Sequence, residues 1–228
     1  MTDHTSPGKV PADTSTGPPQ AGRDDQCRRC GICCRKGGPA LHREDAPLVE
    51  RGAIPIRHLF TLRKGEMVVD NVHGGTMPLA GEIIKIKGRD GAWTCCFYDS
   101  AAQACGIYDA RPVECRVLTC RDTAAIERMY ARDRLTRRDL LSAVSGLWDL
   151  VQAHETNCAI RKIEALVAQL QGATAAAARA ALGEIMAYDR HLRALTVEKS
   201  GMAADQLDFL FGRPLADTIG RHFPDGWR

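Results

Sequence analysis

Cys27-Arg28-Arg29-Cys30-Gly31-Ile32-Cys33-Cys34 places four sulfurs within eight residues. A second group, Cys95, Cys96, Cys105, Cys115 and Cys120, follows about 60 residues later, so nine of the ten cysteines lie in two groups. A thiolate is a soft ligand that selects zinc, Cu(I) or iron–sulfur clusters. A Cys-x-x-Cys step lets two sulfurs reach one metal through a tight turn, and Gly31 eases that turn by tolerating φ > 0. The two groups are therefore expected to fold into one metal or cluster site. Arg28, Arg29, Arg35 and Lys36 crowd the first of them, and cations there stabilise thiolates and their complexes.

The rest of the composition narrows the setting. With 228 residues and 44% hydrophobic content, the chain is long enough for one ordinary domain or two small ones with a real core. No apolar run reaches the roughly 18 residues of a membrane span, and a net charge of +3 is too weak to indicate nucleic acid. The first 26 residues lack the apolar stretch of a signal peptide. The expected location is the cytoplasm, where thiols stay reduced. Location and length both weigh against a disulfide framework, which serves mainly small domains with little core.

Outward from the cysteines, residues 1–24 are rich in Pro, Gly, Thr and Ser and read as a disordered tail. Leu41–Gly52 and Arg57–Arg63 read as short helices. His42, close behind the first cysteines, reads as a capping or surface residue more readily than as a ligand. Met67–Val69, Glu82–Lys87 and Trp93–Tyr98 read as strands, the last two joined by the turn Gly88-Arg89-Asp90-Gly91. Pro112 is placed to open a helical turn presenting Cys115 and Arg116. Beyond residue 122 the period becomes helical. Leu140, Leu141, Val144, Leu147, Trp148 and Val151 mark one face; Ile160, Ile163, Leu166, Val167 and Leu170 a second; Ile185, Tyr188, Leu192 and Leu195 a third. The alanine-rich run 173–182 has high helix propensity, and a short helix is expected over Asp205–Phe211. The mixed charges around Arg128–Arg138 read as a solvated helix face. The expected architecture is α+β, mainly α. A cysteine-rich domain over 25–122 carries a small antiparallel sheet, and 123–228 form a helical part.

The two cysteine loops together resemble the YkgJ-like CxxCxxCC cysteine-cluster family, described as zinc- or iron-chelating. The resemblance rests on Cys27-x-x-Cys30-Gly31-x-Cys33-Cys34, then on Cys95-x-Phe97-Tyr98 and Cys105-x-Ile107-Tyr108-x-x-Arg111-Pro112-x-x-Cys115-Arg116, with Thr61-Leu62-Arg63-Lys64-Gly65-Glu66 between. It implies metal binding by residues 25–122. Eight cysteines fit the pattern as ligands: Cys27, Cys30, Cys33, Cys34, Cys95, Cys105, Cys115 and Cys120. Four thiolates satisfy either a structural zinc or a cubane cluster, so eight fill two sites or make one site with spare thiols. Cys95 fits as the ligand of its pair, leaving Cys96 as the spacer. Arg111 and Arg116 are the candidates to donate hydrogen bonds to ligand sulfurs, the alternative being pairs with Asp109 or Glu114. A similar motif in flagellin lysine methylases accompanies an iron–sulfur cluster, so the resemblance implies a 4Fe-4S cluster beside zinc or iron as the cofactor. No G-x-G-x-x-G loop or radical S-adenosylmethionine motif is present. Three readings stay open at this level: a metal protein for redox or metal handling, a cluster-containing enzyme of unknown substrate, and a zinc-stapled helical module that binds a protein partner.

Overall fold

The computed structural model describes residues 27, 29–119 and 122–222. The expected tail over 1–24 and the candidate ligand Cys120 lie outside the described residues. The fold is α+β and mainly helical, with small antiparallel pairs in the cysteine-rich part and helices in the C-terminal part. In chain order the elements begin with α1 (Ile32–Arg35), α2 (Ala46–Glu50), β1 (Leu59–Leu62), β2 (Met67–Val69), β3 (Thr76–Pro78) and β4 (Ile83–Ile86). Next come β5 (Tyr98–Asp99), β6 (Ala104–Cys105), α3 (Val113–Val117), α4 (Ala124–Met129) and α5 (Arg137–Leu141). The chain continues with α6 (Leu147–Asn157), α7 (Ile160–Val167), α8 (Ala175–Ser200), α9 (Leu207–Phe211) and α10 (Leu215–His222). No helix among the described residues is long and apolar enough to cross a membrane.

The strand β4 is the organiser. Ile84 and Ile86 point into the core while Ile83 and Lys85 alternate with them, the pattern of a half-buried strand. Its partner is β1, antiparallel, with Leu59 opposite Ile86 and Leu62 opposite Ile83. This corrects two expectations. Arg57–Arg63 is a single 3-10 turn at Ile56–His58 leading into a strand, because Leu59, Thr61 and Leu62 are all needed inward against β4 and α9. Trp93–Tyr98 does not pair along β4. It touches the chain after β4 through one bridge, Gly88 to Cys95, although the turn at residues 88–91 forms as expected. On the other edge of β4, residues 38–41 run alongside: Leu41 donates to Ile84 O (2.9 Å) and Ile86 to Pro39 O (3.0 Å). Gly38 makes this approach possible, since a Cβ there would stand 2.3 Å from Ile86 O.

The helices close the other side of this sheet. Leu135, Leu141, Val151, Leu192 and Leu207–Phe211 pack into the same core as Leu41, Leu59, Ile84, Ile86 and Tyr98. Thr61 Oγ1 donates to Phe209 O at 2.7 Å, fastening β1 to α9. A second cluster joins Cys158, Ile160, Ile163, Leu182, Ile185, Leu215 and Ile219, with Cys158 fully buried at the break between α6 and α7, as a small hydrophobe. The expected bundle of long helices contains one long member, α8, of 26 residues. The face from Leu140 to Val151 is split between α5 and α6, leaving Val144 exposed.

The stretch expected as a solvated face is exposed at Arg128, Arg132 and Arg138, but Arg137 departs from it. Arg137 is 1% exposed. It bonds Glu82 through Nε (2.9 Å) and Nη2 (2.6 Å) and Glu155 through Nη2 (2.7 Å). Glu155 also stands 3.8 Å from Arg63 Nη1. Arg63, equally buried, donates to Cys158 O (3.0 Å) and to His154 Nδ1 (3.3 Å). His154 Nε2 in turn meets Asp189 Oδ1 at 2.8 Å, and Arg193 holds that same oxygen at 2.9 Å. Glu66 accepts from the Arg63 backbone (2.8 Å) and from Arg213 Nη2 (2.9 Å). Buried charges of this kind persist only when paired and hydrogen-bonded, and here the pairing ties the turn after β1 to α6, α8 and the start of α10.

Candidate metal centre

Both cysteine loops hang from β4. The first turns at Gly31, whose φ of +73° suits glycine. A Cβ on Gly31 would lie 2.1 Å from Tyr98 Oη, so the loop rests directly on a tyrosine of the second group. The second loop leaves β4 through Cys96, whose N–H donates to Lys87 O at 3.0 Å. The N–H of Cys95 donates to Cys34 O at 2.8 Å, joining the two groups through the main chain. Farther out, the Arg29 and Arg111 guanidinium carbons lie 4.0 and 3.6 Å from the Tyr108 ring centroid. Each loop thus lays a cation against the same ring.

The sulfurs follow this framework. Each of Cys34, Cys95, Cys105 and Cys115 lies within electrostatic reach of the other three. Cys33 acts on Cys34 and Cys115, and Cys27 on Cys105. Burial, then the charge and hydrogen bond of Cys33, pushes the Cys34 thiol up to about 12. Burial and the neighbouring sulfurs raise Cys115 too. Cys105 is raised by burial, with Arg111 pulling the other way. Cys95 is raised by its hydrogen bond with Cys96 and by burial. Cys96 is lowered by that same bond, with Arg89 and Lys87 beside it. All nine described cysteines are free thiols. Such a group ionises together only when a cation offsets the mutual repulsion of its thiolates, and a soft divalent metal or an iron cluster is the cation that thiolates select. Among the described residues, no three His, Cys, Asp or Glu side chains are gathered tightly enough to grip one ion as they stand.

The predicted residues divide as follows. Cys27, Cys33, Cys34, Cys95, Cys105 and Cys115 each lie within electrostatic reach of at least one other of the set; Cys30 is exposed at the rim, with its carbonyl accepting from Arg35 at 3.1 Å. Cys95 and Cys96 do not face opposite ways as neighbours on a strand would. The chain bends there, and their thiols touch. Arg111 lies within electrostatic reach of Cys105, and its Nε donates to Tyr108 O at 2.8 Å. Arg116 turns away, pairing with Glu44 and with Arg111 O. Pro112 opens α3 as expected, its carbonyl accepting from Cys115 N at 3.0 Å.

Glu114 was invisible as a positioning residue. It is half-buried behind Cys115 and accepts from Ala40 N (2.8 Å) and Arg134 Nη1 (2.8 Å), with His42 Nε2 at 3.2 Å. Against the cost of burial, His42 and Arg134 hold its carboxyl below the usual range. The other nitrogen of His42 meets Arg132 O at 2.8 Å, so this histidine is committed to anchoring α3. Asp45 adds a second anchor, accepting from Val113 N at 2.9 Å.

Residues 26–134 match the family model "CxxCxxCC: Putative zinc- or iron-chelating domain". No curated protein and no solved structure matches the chain.

Proposed function

We propose, from the CxxCxxCC domain that spans residues 26–134, that this protein binds zinc or iron through Cys34, Cys95, Cys105 and Cys115. The observation that carries the reading is the main-chain bond from Cys95 to Cys34, with four mutually interacting thiols around it. A four-thiolate set suits one tetrahedral zinc or one cubane iron–sulfur cluster. A metal held by all four sulfurs would require them to stand closer together than they do here. Cys27, Cys30 and Cys33 flank the site as spare thiols or as ligands of a second metal, a role that Cys120, outside the described residues, would share by its place in the sequence pattern. Bound metal supplies the positive charge that keeps these thiols ionised. The chain's residues supply the frame: β4 holds both loops, Glu114 fixes the helix of Cys115, and Arg111 offsets charge at Cys105. The role that follows is metal handling or electron transfer.

Metal analysis and a visible spectrum of protein purified without oxygen test this. Zinc predicts a colourless protein with one equivalent of metal; a four-iron cluster predicts a brown one with four irons and four sulfides. Serine at position 34, 95, 105 or 115 should lower metal content sharply, whereas Cys96→Ala and Cys158→Ala should retain it. Full metal occupancy in all four serine variants would overturn the ligand set.

A further inference from the structure

Of the nine cysteines in the two groups, only Cys96 falls outside the ligand pattern, yet its thiol hydrogen-bonds the thiol of a ligand, Cys95. Neighbouring side chains on an extended chain point to opposite faces, so this contact needs a bend. The main chain pins one. Cys95 N donates to Cys34 O (2.8 Å) and Cys96 N to Lys87 O (3.0 Å). Cys95 O accepts from Tyr98 N at 2.9 Å, closing a tight turn over Cys96 and Phe97. Cys96 O accepts from Arg89 Nη2 at 3.2 Å. All four polar groups of the dipeptide backbone are thus bonded, and none of these bonds uses a sulfur. They hold the dipeptide bent without occupying either thiol. The two sulfurs differ in access: Cys95 is 7% exposed, whereas Cys96 is half-buried.

We propose that Cys95 and Cys96 are an oxidation site, where hydrogen peroxide joins the two neighbours in a disulfide and so removes Cys95 from the metal-binding set. Cys96, the more accessible sulfur, attacks the peroxide O–O bond. One oxygen stays on the sulfur as a sulfenic acid, and the other leaves as water with the thiol proton. Cys95, as a thiolate, then attacks Cys96 Sγ: the S–S bond forms, the S–O bond breaks, and hydroxide leaves to be protonated by solvent. The two sulfurs together lose two electrons to the peroxide. A disulfide sulfur carries no thiolate charge to offer a metal, so one of the four ligands is lost. Neighbouring Cα atoms stand about 3.8 Å apart, short of the roughly 4.4–6.8 Å that disulfides usually bridge. Such a bond is strained and readily reduced by a dithiol, which makes the loss reversible. Cys33 and Cys34 also hydrogen-bond, but they belong to α1, where neighbours project about 100° apart around the axis, so closing that pair would unwind the turn. The loss of metal rests on the four-cysteine reading above; the disulfide itself does not.

The test treats the zinc-loaded full chain, kept free of oxygen, with one equivalent of hydrogen peroxide. Free thiols are then alkylated and the chain is cut with chymotrypsin after Trp93 and after Phe97 or Tyr98, which separates Cys95 and Cys96 from the other cysteines. The expected peptide carries both thiols unalkylated and is two hydrogens lighter than its reduced form. Zinc should pass to a chromogenic chelator in the same period, and dithiothreitol with added zinc should reverse both changes. Cys96→Ala and Cys96→Ser should keep their zinc under the same treatment. The peptide mapping on the parent stands whether or not the variants fold. A disulfide between Cys33 and Cys34 or any other pair, no disulfide at all, or equal zinc loss in parent and variants would each overturn the proposal. Because the disulfide is read apart from the zinc, the two readings fail separately. A Cys95–Cys96 disulfide in a chain that never takes up zinc rejects the ligand set and leaves the oxidation site standing. Zinc that is bound and then released without that disulfide rejects the oxidation site.

Discussion

At the scale of single residues, the site depends on one hydrogen atom at position 31. Gly31 combines a left-handed backbone with contact against Tyr98. Gly31→Ala should therefore displace the first loop as well as add backbone strain of about 1–2 kcal/mol. Its expected signature is lower metal retention under competition with a chelator, with a smaller drop in urea midpoint; retention equal to the parent would contradict the loop geometry. The cysteines and Gly31 were legible in the sequence because metal-ligand spacing is local. Arg63, Arg137 and His154 were not. Their burial depends on partners up to 95 residues away in the chain, and a charged residue in a local window looks solvated until its partner is known. Glu114 was hidden for the same reason, since its acceptors' donors come from residues 40 and 134.

At the scale of elements, the outcome turned on what competes for a short apolar run. Ile83–Ile86 announced itself by alternation and is a strand. Residues 59–62 did not alternate, because three of the four side chains are buried between β4 and α9, and a run buried on both sides has no readable period. The long helix α8 was legible through its alanines and its apolar spacing; α10 was not foreseen. The element packing also separates what metal removal should disturb. Residues 27–37 reach the core only through Cys34, and residues 93–111 are tied to it mainly through Cys95 and Tyr98, whereas β1 and β4 are backed by α9 and by Leu41, Leu48 and Ile54. Structural zinc contributes on the order of 10 kcal/mol to small modules, so losing it should free the loops. After chelation, hydrogen exchange is expected to rise strongly in the two loops and little in β1, β4 and α9. Equal protection in loops and strands would show that the metal does not hold the loops.

At the scale of the whole molecule, one buried ionic chain runs from the turn after β1 through α6 to α8. His154 is its neutral link. Arg63 donates to Nδ1, so Nε2 must carry the proton that goes to Asp189. Burial and the neighbouring Arg63 lower the His154 pKa below 6.5, while Asp189 and Glu155 oppose them; Phe211 lies against the ring. A group whose folded pKa is depressed below its unfolded value takes up protons on unfolding. Its contribution is complete above pH 6.5 and shrinks as pH falls below that value. Stability measured by urea unfolding should thus decline as pH falls below 6.5, and the decline should be shallower in His154→Gln. The same slope in parent and variant would assign the acid sensitivity to other groups. Asp189 itself, held at about 2 by His154 and Arg193 against burial, stays ionised throughout this window.

The bond from Thr61 to Phe209 spans 148 residues of sequence, and that span has a consequence for synthesis. A ribosome adds roughly 5–20 residues each second. Every cysteine of both groups has been made by residue 120, but α9, which backs β1, is finished only at residue 211. For on the order of 5–20 s, nascent chains carry a full complement of naked thiols without the wall that will enclose their support. Growth conditions that alter oxidant or free metal during translation should therefore decide how much of the newly made protein reaches its loaded state, more than the same exposure does after release.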